Sequence, residues 1–267
     1  VMNCKFLRSE QIKSGLKFDL YISIDNNGTE KVKSLANNFL WNHGEKNVIV
    51  HERKLGLVDH FIWVGDQTKN FENIIFLEED LLVSPHIFSF VDEIINFYRN
   101  DPDVAAASLY SPVINECTGT RFYPIPDSSD VYFLQQPYWG NIWFNDMWQD
   151  FKLYLTKYKE NKKILPRNVG LWQKSFKKIY IQYLIENKLY VVTPRISLLT
   201  NQCVAGLHSS GRTGYFQTYI ETQYYRYKLI KASKSLAKYD AFMEIEADSL
   251  KHFNPSLSEY DFEVDLN

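Results

Sequence analysis

The sequence is organised around one apolar run that ends in three consecutive acids. Residues 73–85 read Asn-Ile-Ile-Phe-Leu-Glu-Glu-Asp-Leu-Leu-Val-Ser-Pro. An apolar run with polar boundaries is typical of a buried strand, and open α/β sheets bind ligands at the carboxyl ends of their strands. Because Glu78, Glu79 and Asp80 repel one another, a divalent cation held by oxygen ligands is the simplest expected neighbour. The alternative is a solvated acidic turn that caps the next helix.

Strands and helices alternate along the first 110 residues. Besides a helix over 1–15, the pattern predicts strands at 18–25, 47–51, 73–77 and 104–110, and helices at 29–41, 54–68 and 85–98. This alternation predicts an α/β fold, in which a mostly parallel sheet is flanked by helices and joined by crossover connections.

The second half of the chain has more loops and more aromatic residues. Residues 111–130 are rich in Pro, Asp and Ser, and they predict a long loop near the site. The later segments predict an aromatic strand and turn at 131–143, helices at 145–158 and 174–186, a bent or edge strand at 190–201 that Pro194 interrupts, and a helical tail at 216–267. We expect a single domain whose two halves span about 16–110 and 111–215.

Composition limits the class of protein. The 267 residues carry a net charge of -2 and a pI near 6.3, which argues against a nucleic-acid-binding surface. Cys4, Cys117 and Cys203 are widely separated and lack metal-ligand spacing, which indicates a reducing compartment. Neither a membrane-spanning run nor a signal-peptide pattern is visible, so we expect a cytoplasmic protein.

A second strand also ends in an acid. Residues 22–25 read Ile-Ser-Ile-Asp, and a Gly-containing turn follows Asp25. Two acid-tipped strands, together with a distant loop at 206–214 that carries His208 and Arg212, predict a site for a metal-bound diphosphate. Alternatively, Asp25 caps the helix that begins near 29. The alternative for His60 is that it is a histidine packed in the core.

These residues resemble the nucleotide-sugar half of the GT-A glycosyltransferases. The resemblance rests on Ile-Ser-Ile-Asp at 22–25, Leu-Gly-Leu at 55–57 with His60, and Phe-Leu-Glu-Glu-Asp-Leu-Leu-Val-Ser-Pro at 76–85. It extends through 132–143, 192–198 and the loop with His208, about four fifths of the chain in all. The sequence is similar to bacterial family-2-like enzymes and to the N-acetylglucosaminyltransferase I family, which carries an acidic triplet of the Glu-Asp-Asp kind.

The resemblance implies a fold and an activity. The fold is a Rossmann-like GT-A domain. The activity is that of a hexosyltransferase, which moves a sugar from a nucleotide diphosphate sugar, above all a UDP-sugar, to a hydroxyl of a growing bacterial polysaccharide. Such enzymes use Mn²⁺ or Mg²⁺. The partners would be the nucleotide sugar and a glycan acceptor, with no nucleic acid.

The resemblance also assigns roles to single residues. Asp80 would ligate the metal, while Glu78 and Glu79 would hold the ribose or donor sugar or orient that ligand. Asp25 would accept a hydrogen bond from the nucleotide base, and His60 would lie beside it.

A later loop would complete the donor site. His208 is expected to ligate the metal or touch the diphosphate, and Arg212 to pair with phosphate oxygens. The alternative for both is an ordinary polar surface loop.

The sequence departs from the family pattern in two places. The first strand of the family, with its Asn-Arg-type turn, has no counterpart in 1–17, so we expect a truncated chain or a degenerate element. Inverting enzymes carry an Asp where this chain has Trp-Gln-Lys-Ser-Phe-Lys-Lys at 172–178. Asp127, Asp130 and Asp146 are then the open candidates for the base that deprotonates the acceptor.

Aromatic and basic segments suggest further contacts. Tyr138, Trp139, Trp143 and Trp148 are expected to stack on acceptor sugar rings, although such residues also fill cores. The basic helix at 174–188 is either a patch that contacts the inner membrane surface or a solvated helix face.

Two other functions compete with a transferase. One is a catalytically inactive glycan-binding or scaffolding domain. The other is a nucleotidyltransferase, although no Gly-rich phosphate loop follows the first strand.

Overall fold

The structure is a computed structural model that describes residues 17–202, 214–262 and 264. The helix predicted over 1–15 and the loop residues His208 and Arg212 lie outside the described residues.

Helices α1 to α7 span Glu30–Asn38, Gly56–Gly65, Ile87–Tyr98, Asn145–Lys157, Arg167–Leu171, Phe176–Asn187 and Ala247–Phe253. Strands β1 to β10 span Leu20–Ile24, Lys46–Val50, Asn73–Phe76, Leu81–Val83, Val104–Ser108, Val131–Leu134, Asn141–Phe144, Tyr190–Pro194, Leu199–Asn201 and Lys238–Tyr239.

The central sheet has six strands in the order β10-β6-β8-β5-β7-β3. The pairs β5/β8 and β6/β10 are parallel, whereas β3/β7, β5/β7 and β6/β8 are antiparallel. The fold is therefore α/β with a mixed sheet, and the predicted mostly parallel arrangement is not confirmed. The reason lies in the loop at 111–130, which returns the chain to the edge where β5 ends, so that β6 runs opposite to β5.

One edge of this sheet collects the ends of five strands. Strands β3, β5 and β8 end there, while β6 and β7 begin there. The registers show this directly, because Asn141 pairs with both Phe76 and Ser108, and Val131 pairs with Pro194. Glu78, Glu79 and Asp80 follow β3 at this edge, which we call the acid edge.

Two small strand pairs complete the architecture. Strands β1 and β2 form a parallel pair, and β4 and β9 form an antiparallel pair. The β4/β9 pair lies at the acid edge, because Ser84 N donates to Leu198 O at 2.7 Å and Leu198 N donates to Leu109 O at 2.7 Å. Strand β4 was not predicted, since three apolar residues after the acids also suit a turn.

The sheet is buried on both faces. Side chains alternate along each strand, so Ala106 and Trp143 face one core, while Ala107 and Ile142 face the other. The first core contains side chains from α2, α4 and α6, and the second contains those of α3. This explains why the central strands read as continuous apolar runs.

Of the two alternatives for 190–201, the edge strand is wrong and the bent strand is confirmed; the prediction of a helical tail is wrong. Strand β8 lies between β5 and β6 and ends at Pro194, and the chain bends before β9 begins at Leu199. Pro194 is tolerated because it is the last residue of β8. In its described residues the tail is mostly irregular, with α7, β10 and the 3₁₀ turns at 232–234 and 255–259 as its regular elements after residue 216. Its aromatic side chains pack against the sheet instead of forming a helix, as Tyr227 and Tyr239 show by their burial.

The basic helix is also more buried than expected. In α6, Lys178 is buried and its Nζ lies 3.0 Å from Glu160 Oε1. The neighbouring Lys177 Nζ lies 3.1 Å from Glu116 Oε2. These ion pairs reduce the free positive charge that a membrane-surface patch needs. None of the helices in the described part of the chain is long and apolar enough to span a bilayer.

We predict that Gly65→Ala destabilises the fold. A Cβ at Gly65 would lie 1.9 Å from Trp148 Cζ2, and this indole is buried. We expect a loss of about 3 kcal/mol in the free energy of unfolding, measured by urea denaturation. The control is Gly170→Ala in α5, where a Cβ has nothing within 4 Å and should stabilise the helix by up to about 1 kcal/mol. Equal stability of the two variants would refute the predicted clash.

Candidate functional site

Asp25 holds the N-terminus of helix α2. Its carboxylate accepts hydrogen bonds from the backbone N–H groups of Asn26, Leu55 and Gly56, at 2.8, 2.9 and 3.0 Å. Burial alone would raise the pKa of Asp25, but these hydrogen bonds outweigh it and lower the pKa. The cap of α1 is Thr29, so Asp25 is not the cap suggested by the alternative interpretation.

His60 belongs to a polar cluster beside Asp25. Ser23 Oγ lies 2.6 Å from His60 Nε2 and 2.8 Å from His51 Nε2, and the Trp63 ring packs 4.6 Å from the His51 ring. Because a serine hydroxyl has one hydrogen, at least one imidazole must donate to it. Burial, followed by the neighbouring His51, lowers the pKa of His60.

Two acids influence the pKa of His60. The negative charges of Asp25 and Glu79 both act on His60 and partly oppose the lowering of its pKa. Sequence reasoning missed Ser23, His51 and Trp63. The available signal was that His51 directly follows β2, the neighbour of the strand that ends at Asp25.

The three acids crowd the end of β3. Burial, together with the negative charges of Asp80 and Glu79, raises the pKa of Glu78 to about 8. Asp80 is held by the residues that end β9: Asn201 Nδ2 donates to Asp80 Oδ2 at 2.8 Å, and Gln202 N donates to Asp80 O at 2.9 Å.

Asp80 is the residue of the acid edge that could contribute a ligand to a divalent cation. Within the described ranges, no group of three or more His, Cys, Asp or Glu side chains is arranged to hold a metal ion. A Mg²⁺-like cation needs only one or two carboxylates when phosphate oxygens and water complete its shell. Asp80 can supply one of these, and the repulsion among the acids favours a positive neighbour.

The candidate base Asp127 is a buried structural residue. Its Oδ1 lies 2.8 Å from Arg195 Nη2, and its carboxylate also accepts hydrogen bonds from the hydroxyls of Ser129 and Ser235. Burial would raise the pKa of Asp127, but these hydrogen bonds outweigh it and lower the pKa. A carboxylate stabilised in this way is a poor proton acceptor.

Asp130 and Asp146 are also placed poorly for a base. Asp130 accepts a hydrogen bond from Lys228 N at 2.7 Å and precedes β6, which lies four strand positions from β3, or about 19 Å. Asp146 is in the first turn of α4, after the end of β7, which pairs with the start of β3. Asp146 therefore lies at the edge opposite the acids.

Glu116 is a carboxylate that sequence reasoning missed. Its Oε2 pairs with Lys177 Nζ, which also lies 4.1 Å above the Tyr138 ring. Lys177 belongs to the segment 172–178, where the resemblance implies a base. The loop composition at 111–130 gave no signal that this particular residue would reach α6.

Most of the aromatic residues expected to stack on sugars are core residues. Tyr138, Trp143 and Trp148 are buried, because they pack between the sheet and its covering segments. Trp139 is partly buried, and its ring packs 5.0 Å from Phe216. The prediction of four stacking aromatics is therefore wrong for these three residues.

Other apolar side chains are exposed at the acid edge. Ser197 and Ile220 form a parallel bridge, so their preceding residues, Ile196 and Tyr219, lie side by side. Ser197 points inward, whereas Ile196 is 46% exposed and Tyr219 is 90% exposed. Sequence reasoning could not find this surface, since it depends on pairing between distant segments.

The sequence matches no protein-family model and no curated protein.

We predict that Glu78→Gln stabilises the metal-free protein at high pH. Folding raises the pKa of Glu78 from 4.5 to about 8, so the folded state favours the protonated side chain. The stability that protonated Glu78 contributes is fully present below pH 4.5 and is lost as the pH rises through 8. A neutral glutamine avoids this loss. In EDTA, the variant should gain on the order of 1–3 kcal/mol over the native protein between pH 5 and pH 9.

Urea denaturation at both pH values measures this difference. Glu30→Gln, which changes an exposed side chain on α1, is the control. A gap between Glu78→Gln and the native protein that stays constant with pH would contradict the raised pKa.

Proposed function

We propose that this protein is a metal-dependent glycosyltransferase with a GT-A variant of the Rossmann-like fold. The observation that carries the proposal is that acids follow two strand ends, Asp25 after β1 and Glu78, Glu79 and Asp80 after β3, with His60 hydrogen-bonded to Ser23 on β1. Two acid-tipped strands would provide separate contacts for a nucleotide base and for a charged diphosphate. A cytoplasmic location, which the cysteine pattern supports, is part of the same proposal.

The proposed donor is a UDP-sugar. A carboxylate offers about four acceptor positions, and Asp25 already uses three of them for backbone N–H groups. The one remaining position suits uracil, whose imide has a single N–H, better than guanine, which presents two adjacent donors. Ser23, His51 and His60 lie beside this position.

The acid edge would receive the diphosphate. Asp80 is the proposed ligand of Mn²⁺ or Mg²⁺, and Glu78 and Glu79 would hold the ribose or the donor sugar. His208 and Arg212 remain proposed contacts of the metal and the phosphates, by resemblance. When bound, the cation would stabilise the negative charge on the departing nucleoside diphosphate.

The proposed acceptor is a hydroxyl of a glycan. Ile196 and Tyr219 present an exposed apolar surface at the acid edge, and an aromatic face can stack on a sugar ring. This surface replaces the buried aromatic residues as the proposed acceptor contact.

A catalytically inactive glycan-binding domain is the second candidate. The positions of Asp127, Asp130 and Asp146 favour it, because none of the three is suited to deprotonate an acceptor held near Asp80.

We predict that Asp80→Asn abolishes Mn²⁺-dependent hydrolysis of UDP-sugars. The variant lacks the charge that holds the cation, so the rate should fall by about 100-fold or more. Release of UDP from a panel of UDP-sugars, with and without Mn²⁺, measures the effect. The control is Asp146→Asn at the opposite edge, which should keep the native rate.

Thermal denaturation separates the two candidate functions. A transferase should be stabilised by UDP and Mn²⁺ together much more than by either alone. A binding domain should respond to oligosaccharide and ignore both. If the native protein neither hydrolyses a UDP-sugar nor binds UDP with Mn²⁺, the transferase proposal is wrong.

We predict that Tyr219→Ala weakens acceptor binding without affecting the donor. Loss of one stacking contact should raise the KM for a glycan acceptor by about 3–10-fold, with an unchanged KM for the UDP-sugar. Tyr260→Ala, which removes another exposed tyrosine near the C-terminus, is the control. An equal effect of the two variants would exclude a specific role for Tyr219.

A further inference from the structure

We infer that Asn201 is a positioning residue for Asp80 and sets the affinity of the acid edge for a divalent cation. The inference rests on the proposed function, because it takes Asp80 as the metal ligand. It concerns a residue on a different strand, 121 positions away in sequence.

Asn201 and its neighbour hold Asp80 at two points. Asn201 Nδ2 donates to Asp80 Oδ2 at 2.8 Å, and Gln202 N donates to Asp80 O at 2.9 Å. The second hydrogen bond extends the register of the β4/β9 pair, in which Leu81 lies opposite Asn201. Both the backbone and the side chain of Asp80 are therefore fixed by the end of β9.

The orientation of the Asn201 amide follows from its partner. An ionised carboxylate can only accept hydrogen bonds, so the amide must turn its NH₂ group toward Asp80. Asn201 is 6% exposed, and reorienting a buried amide would forfeit this hydrogen bond. The amide thus engages Oδ2 and favours Oδ1 as the oxygen that Asp80 presents to a cation.

A neutral donor suits this position. The end of β3 already carries three acids that repel one another, and a carboxylate at 201 would add a fourth. A lysine would neutralise Asp80 and compete with the cation. An amide fixes the side chain of Asp80 without adding or cancelling charge. Residues that orient a metal ligand in this way typically change metal affinity by about 10–100-fold when they are replaced.

The test compares Asn201→Leu with the native protein. Leucine has a similar size but no donor, so the Kd for Mn²⁺ in the presence of UDP, measured by titration calorimetry, should rise by about 10–100-fold. The control is Thr200→Val on the same strand, which removes the hydrogen bond from Thr218 N to Thr200 Oγ1 but does not touch Asp80. Its Kd should change by less than about 3-fold.

A second variant keeps the test decisive if Asn201→Leu fails to fold. The double exchange Asp80→Asn with Asn201→Asp preserves one amide, one carboxylate and the hydrogen bond between them. It moves the negative charge from position 80 to the buried position 201. We expect a folded protein, judged by circular dichroism and its Tm, that has lost measurable Mn²⁺ binding.

The possible results distinguish a failure of the proposed function from a failure of the proposed role of Asn201. If the native protein does not bind Mn²⁺ with UDP, the proposed function fails. If the native protein binds and Asn201→Leu binds equally well, or the exchange variant binds like the native protein, the positioning role is overturned while the function stands. A loss in Thr200→Val as large as in Asn201→Leu would also overturn it, since general damage to β9 would then explain both.

Discussion

Glu78, Glu79 and Asp80 place three carboxyl groups on consecutive residues at the end of a buried strand, and the surrounding structure counters their repulsion. Burial and the two neighbouring charges already raise the pKa of Glu78 to about 8. Hydrogen-bond donors reach Asp80 from Asn201 and Gln202, and this requires β9 to pair with β4 directly after the acids. The same pair is joined to the central sheet through Leu198, so the acid edge is built into the core and is not an appended loop.

The sequence predicted the elements of the first half well because their signals are local. The apolar runs and turn residues gave β1, β2, β3, β5 and the three intervening helices within a few residues. Strand direction in the second half was not accessible in this way. Nothing in the local pattern of Tyr190–Pro194 shows that it inserts between β5 and β6, or that Tyr239 extends the sheet beside Leu134.

The residues of the candidate site show the same difference between local signals and long-range contacts. Asp25 and the three acids were predicted at strand ends because an acid that follows an apolar run can be seen in the sequence. Asn201 and His51 were missed, since each acquires its role from a contact with a residue far away in the chain. The pairing of Asp127 with Arg195, which makes it poorly suited to act as a base, was likewise not visible in the sequence, because the two residues are 68 positions apart.

The two sides of the candidate site differ in how firmly their side chains are held. On the proposed donor side, the Asp25 carboxylate accepts three backbone hydrogen bonds, and Asp80 accepts one on its side chain and one on its backbone carbonyl. Little conformational entropy should therefore be lost there when a ligand binds. On the proposed acceptor side, the bridge between Ser197 and Ile220 and the hydrogen bond from Thr218 N to Thr200 Oγ1 hold the backbone, whereas the Tyr219 side chain is 90% exposed. For the proposed transferase, fixed carboxylates beside an exposed aromatic side chain are the arrangement expected when one nucleotide sugar is recognised closely and the glycan partner varies. If the proposed function holds, donor specificity should depend on the hydrogen bonds around Asp25, and acceptor specificity on exposed side chains such as Tyr219 that can be exchanged without disturbing the core.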